Sequence, residues 1–156
     1  MGRARRGPEW SGSGGLGASD QKDSLLDLPG FVLRRAANVA MARLATELDQ
    51  FDLRISDATV LLLVADRTDM TSAEIGKELD IRSANMVPVL NRLEGAGLIE
   101  RVPIDRKSQA IVLTPTGRDR LGEVRDLTTR FEADLLSRIP ERHRKHLMPA
   151  LLALIG

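Results

Sequence analysis

Between Pro103 and Ser108 the chain carries Asp105, Arg106 and Lys107 in close succession. The flanking segments, Ile99–Val102 and Gln109–Leu113, read as the two arms of a β-hairpin, so these charges fall on its tip. Cations on a protruding tip suit phosphates and the narrow minor groove of a duplex, where negative potential is strongest. On an isolated hairpin the same charges would do no more than keep an edge strand soluble. The elements that hold the hairpin decide between the two.

Those elements lie between Thr71 and Thr114. Thr71 and Glu74 form a capping box, in which hydroxyl and carboxylate satisfy each other's backbone amides at a helix start. Ile75 and Leu79, with Ala73 and Gly76, give that helix one buried stripe, and it should stop near Asp80. Ile81 then plugs a tight turn into the core. A second helix is expected from Ser83, a good N-cap, with Met86, Val87, Leu90 and Leu93 facing inward. Gly95 and Gly97 end it, and Leu98 and Ile99 open the hairpin. Two short helices, a tight turn and a hairpin make a winged helix-turn-helix, which lays one helix in the major groove with the hairpin tip beside it.

Composition narrows the alternatives. The chain has 156 residues, 42% apolar but only 3% aromatic, so one domain with an aliphatic core is expected. Cysteine is absent, which removes disulfides, thiolate metal sites and thiol redox sensing. No apolar run approaches a membrane span, and MGRARRGPEW lacks the apolar stretch of a signal peptide, so a cytoplasmic protein is expected. The formal net charge is only +1. Across Arg82–Leu113 there are five cations against three anions, a modest excess. Affinity for a polyanion would need two copies acting together, with neutral contacts from hydroxyls and helix N-termini such as Thr71 and Ser72.

Along the rest of the chain, residues 1–23 are rich in Gly, Ser and Arg and read as a disordered tail. A long helix is expected over Leu28–Asp49, apolar on more than one side and so packed on more than one side. Ser56 reads as the N-cap of a second helix, with Asp57 set against its dipole and Val60–Ala65 in the middle of the domain. After the hairpin, Thr114-Pro115 starts a helix carrying Leu121, Val124, Leu127, Phe131 and Leu135 on one face to about Arg138. A last helix, about Pro140–Ile155, should kink at Pro149 and ends strongly apolar. A second subunit is the expected cover, with first and last helices interlocking about a two-fold axis.

This order of elements, with NRLEGAGLIER (Asn91–Arg101) and the run from Asp105 to Gly117, resembles the MarR family of bacterial transcription regulators. The resemblance covers about Leu28 to the C-terminus. It implies a mainly α fold with a small β-wing, as a domain over 24–156. Dimerisation helices at about 28–49 and 115–155 would enclose a winged helix at about 53–114. It further implies a homodimer on a pseudo-palindromic double-stranded operator, acting as a repressor released by a small, often aromatic, ligand.

If the chain behaves alike, Arg82, Ser83, Asn85, Pro88, Val89 and Arg92 form the exposed face that reads bases. Arg forks onto guanine, Asn onto adenine, and Pro and Val touch a thymine methyl. Arg92 equally suits a phosphate. The family's wing commonly shows Asp, any residue, then Arg; here the third position is Lys107, which lacks the planar guanidinium, and Arg106 stands beside it.

An effector pocket would draw on Phe31, Arg34, Arg35, Asn38 and Met41, an arginine pairing with a carboxylate and Phe31 or Met41 covering a ring. A small aromatic acid or its CoA thioester fits that set; Arg34 and Arg35 equally suit ion pairs between subunits. His143 and His146 lack a partner for metal binding and are expected to face solvent. No catalytic constellation or glycine-rich phosphate loop is present, so neither enzymatic activity nor a cofactor is expected. The competing reading is a winged-helix module that binds a protein and no DNA.

Overall fold

The structure, a computed structural model, describes residues 25–67 and 69–156; the expected tail over 1–23 lies outside them. The chain divides into two compact units, one ending at Asn38 and the other running Val39–Gly156. Helix α1 (Pro29–Leu48) begins on a proline, whose missing N–H costs nothing in a first turn. In the first unit its Val32 and Leu33 are exposed.

In the second unit, α1 ends with Leu48 in the core and passes through a single 3-10 turn (Asp49–Phe51) into α2 (Ile55–Asp66). Val60 and Leu61 of α2 are wholly buried, and the helix packs against the segments Ser83–Gly95, Gln109–Leu113 and Pro115–Ser137. Its start differs from expectation. Arg54, not Ser56, is the N-cap, because the Asp57 carboxylate accepts from the Arg54 backbone N–H at 2.9 Å. Helix α3 (Ser72–Glu78) carries the expected capping box: the Thr71 N–H donates to Glu74 at 2.8 Å and the Glu74 N–H to the Thr71 hydroxyl at 3.3 Å. Helix α4 (Ser83–Gly95) starts one residue earlier than expected, with Arg82 as N-cap and Ser83 as its first helical residue.

The end of α4 needs a glycine. Gly97 adopts φ 69°, and the N–H of Leu98 reaches back to the Leu93 carbonyl at 2.9 Å. This six-to-one closure satisfies the last carbonyls and swings the chain into β1 (Ile99–Pro103). β1 pairs antiparallel with β2 (Gln109–Leu113), from Ile99 opposite Leu113 to Pro103 opposite Gln109. The segment before α3 joins the hairpin by an isolated bridge: Thr71 bridges Ala110, and Met70 accepts from the Ile111 N–H at 2.9 Å. The hairpin is thereby fastened to the start of the helix-turn-helix.

Helix α5 (Pro115–Ser137) buries Leu121, Val124, Leu127 and Phe131, the stripe read from the sequence, with Leu135 half-buried. Helix α6 (Glu141–Ile155) runs continuously through Pro149, and none of its residues is buried by its own chain. Met148, Leu152, Leu154 and Ile155 are all exposed.

The junction of α4, the hairpin and α5 is the tightest point. The Thr114 hydroxyl donates to Gly97 O at 2.6 Å and accepts from the Gly117 N–H at 2.9 Å. A Cβ on Gly117 would lie 1.8 Å from the Leu98 carbonyl oxygen, so only glycine fits. Gly117→Ala should therefore cost on the order of 3 kcal/mol, since backbone must move. Gly122, further along α5 with open space around it, should respond oppositely: Gly122→Ala stabilises by up to about 1 kcal/mol through helix propensity. Thermal denaturation followed by circular dichroism should shift Tm in opposite directions for the two variants.

Candidate nucleic-acid interface

Helix α4 shows two complementary stripes. Met86, Val89, Leu90 and Leu93 are buried, while Ala84, Val87, Pro88 and Asn91 face outward at the same spacing, two residues out of step. The two valines exchange the roles expected of them. Val89, assigned to the base-reading face, is only 6% exposed, whereas Val87, assigned to the core, is 47% exposed. Turning 100° per residue from Met86, Leu90 and Leu93 leaves Val89, and not Val87, among them. Arg82, Ser83, Asn85 and Pro88 are exposed as expected.

Arg92 is a second correction. Its guanidinium, expected to read a base or grip a phosphate, is engaged within the protein. It forks onto Asp57, with Nη2 2.6 Å from Oδ1 and Nε 3.4 Å from Oδ2, and also donates to the Pro88 carbonyl. The Asp57 side chain is 3% exposed. The signal for this partner was present: Asp57, Val60, Leu61 and Val64 share one face of α2, so Asp57 lies in the buried stripe and requires a cation. Asn91 is engaged too, its amide oxygen accepting from Arg101 at 2.8 Å while Arg101 also pairs with Glu94.

The structure brings Thr71, Ser72, Arg106 and Lys107 into one groove of about 550 Å³ between the start of α3 and the hairpin. The Thr71 hydroxyl is spent on the capping box, and Ser72 is half-buried. Arg106 and Lys107 are exposed, with no ion pair among the described residues. The tip that carries them is itself ordered. Asp105 Oδ1 accepts from the N–H groups of Lys107 at 2.7 Å and Ser108 at 2.8 Å, and Ile104 donates to the Ser108 carbonyl at 2.9 Å. The Lys107 and then the Ser108 backbone bonds hold the Asp105 carboxyl below its ordinary value.

The expected effector residues all lie on α1. Phe31 is half-buried with the Arg34 guanidinium 5.6 Å from its ring centroid, and Arg35, Asn38 and Met41 are exposed. Arg43 was not singled out from the sequence. It pairs with Asp134, which Arg138 also contacts, and it lies over the Phe131 ring. These two arginines hold the Asp134 carboxyl below its ordinary value, Arg43 first. Both histidines are exposed, with His143 accepting from Arg142.

Two outcomes follow from this geometry. Arg92→Ala should cost about 3 kcal/mol in urea denaturation, the lower end for a buried pair because Arg92 itself is 36% exposed. Combining Arg92→Met with Asp57→Asn should cost less than Arg92→Ala, since no charge is then left buried. At the tip, a lowered carboxyl contributes fully above its ordinary value, and the contribution fades as pH falls through the lowered one. In an acid titration followed by NMR, the Lys107 and Ser108 amides should move together below the ordinary aspartate range. Asp105→Ala should remove that step.

Comparison with known proteins agrees with this architecture. The model of the MarR family matches residues 51–108. A relative from Thauera aromatica, assigned to regulation of the hcr operon, is 27% identical over 59% of this chain; the chain spans 57% of that relative's length. The solved transcriptional repressor CouR, bound to a 23-mer DNA duplex, is 30% identical with a TM-score of 0.75, over 85% of this chain and 94% of that one. CouR from Rhodococcus jostii RHA1 bound to p-coumaroyl-CoA shares the fold at 21% identity and a TM-score of 0.73, over 83% of this chain and 93% of that one. At that identity and coverage, and with the helix-turn-helix and wing in place, the chain belongs to the MarR family of DNA-binding transcriptional regulators.

Proposed function

We propose that this regulator is a homodimeric repressor that holds a pseudo-palindromic operator and releases it when a small aromatic acid, or its CoA thioester, binds. The observation that carries the DNA reading is the division of α4 into a sealed inner stripe and an open outer one, with the exposed cations Arg106 and Lys107, unpaired among the described residues, on the hydrogen-bonded hairpin tip. The solved repressor bound to a DNA duplex supports it.

Dimerisation rests on α6. A helix ending in Leu151, Leu152, Leu154 and Ile155 with nothing buried by its own chain is an apolar face in need of cover. A second copy supplies it, with residues about 28–49 and 115–155 as the clasp and about 53–114 as the reading head. Two heads also answer the modest positive charge of one. The ligand class rests on the stacked Phe31 and Arg34 with neighbouring Arg35, Asn38 and Met41, and on the p-coumaroyl-CoA complex of a protein with this fold. No helix among the described residues is long and apolar enough to cross a membrane, and a cytoplasmic location accords with the reading.

Fluorescence anisotropy with duplexes from upstream of the gene tests this. A two-fold site with half-site centres about 10 base pairs apart should bind in a salt-dependent manner. Lys107→Ala should weaken binding and reduce the salt slope by about one. Sedimentation should give a dimer, and removing Leu147–Gly156 should give an aggregating chain. Salicylate and p-coumaroyl-CoA should lower operator affinity. Absence of binding to any duplex, or a well-behaved truncated monomer that still binds, overturns the reading.

A further inference from the structure

We infer that the outward stripe of α4, Ala84–Val87–Pro88, reads the centre of each half-site through thymine methyl groups rather than through hydrogen bonds to base edges. The inference rests on the DNA-binding reading above and specifies what that surface selects.

Three observations converge. Ala84, Val87 and Pro88 stand at the spacing of adjacent turns, so they form one continuous strip on the helix, and all three are exposed. None has a side-chain donor or acceptor. The polar side chains beside them are drawn into the protein: the Arg92 guanidinium is forked onto buried Asp57, and Asn91 Oδ1 accepts from Arg101, which leaves Asn91 only its Nδ2 donors at the far end of the strip. The free polar groups, Arg82, Ser83 and Asn85, gather in the first turn. Hydrogen-bond reading is thereby concentrated at the ends of the helix, and its centre is left to apolar groups.

A hydrogen-bond reader needs long, forked side chains such as Arg, Asn or Gln directed at base edges. This strip offers a methyl, an isopropyl group and a pyrrolidine ring. In the major groove, the apolar group that marks one base pair from another is the thymine C5-methyl. Short side chains also let the helix axis sit deep in the groove, where those methyls line the wall. Burying Val87, otherwise 47% exposed, against them removes apolar surface from water on both partners. A cytosine at the same place offers the strip an amino group with no acceptor to meet it.

The test begins with selection of duplexes from a random pool by the full-length protein. The enriched half-site should carry thymines at its centre. Replacing those thymines with deoxyuridine removes only the methyl and leaves every hydrogen-bonding edge intact. Affinity should fall about fourfold for each contacted methyl, the weight of one buried methylene. The same replacement outside the half-site serves as the control and should leave affinity unchanged. Val87→Ala should shrink the thymine-to-deoxyuridine ratio towards one, whereas Asn85→Ala should weaken binding and leave the ratio intact. Enriched duplexes indifferent to methyl removal would overturn the inference and leave DNA binding standing. Enrichment of no duplex at all would overturn the DNA-binding reading with it and direct attention to a protein partner for the same apolar strip.

Discussion

The pairing of Arg92 with Asp57 sets the position of α4, the helix we propose faces DNA. Asp57 occupies the buried face of α2, where a carboxylate cannot remain without a cation. Arg92 provides it from α4, thirty-five residues away, and the fork fixes distance and rotation at once. The same carboxylate takes the Arg54 backbone N–H and so caps α2. One side chain thus ends a helix start, joins two helices and decides which face of α4 stays outside. The structure uses a charge here as a rivet, at the expense of a charge that would otherwise be available to a ligand.

The hairpin is controlled from two sides. At its base, Gly97 turns the chain out of α4 while the Thr114 hydroxyl bridges Gly97 and Gly117, so the last turn of α4 and the first turn of α5 share a hinge with little play. At its flank, the bridge from Thr71 to Ala110 ties β2 to the start of α3. The distance between the helix-turn-helix and the cationic tip is therefore set by backbone hydrogen bonds and the short Thr114 side chain, and not by the reach of long side chains.

Much of this was legible in residue order, and what was not shares a physical cause. Local signals read correctly: the Thr71–Glu74 capping box, the Gly97 stop, the Thr114-Pro115 start and the stripe from Leu121 to Phe131 each involve residues within one or two turns. Helix starts at Ser56 and Ser83 were misplaced by one or two residues, because serine is only one way to satisfy an orphan amide. Asp57 does the work at the first, and at the second the chain turns at Arg82 with no side-chain cap. Val87 and Val89 are chemically identical, so only their angle around the helix separates them. The Asp57–Arg92 pair and the Thr71–Ala110 bridge join distant segments: periodicity marks Asp57 as a buried carboxylate in need of a cation but does not say which cation meets it, and nothing local announces the bridge. Of the expected interface, the tip cations and the first turn of α4 remain exposed, while Val89 is buried and Arg92, half-exposed, is tied to Asp57.

The self-bonded turn at Asp105 bears on how tightly a weakly charged protein can hold a polyanion. A slack loop must surrender its conformational freedom on contact, and that loss is subtracted from whatever attraction its cations supply. Here the carboxylate has already collected the Lys107 and Ser108 amides during folding. The backbone share of that cost falls on folding instead, so a partner of opposite charge would have only the side chains left to order.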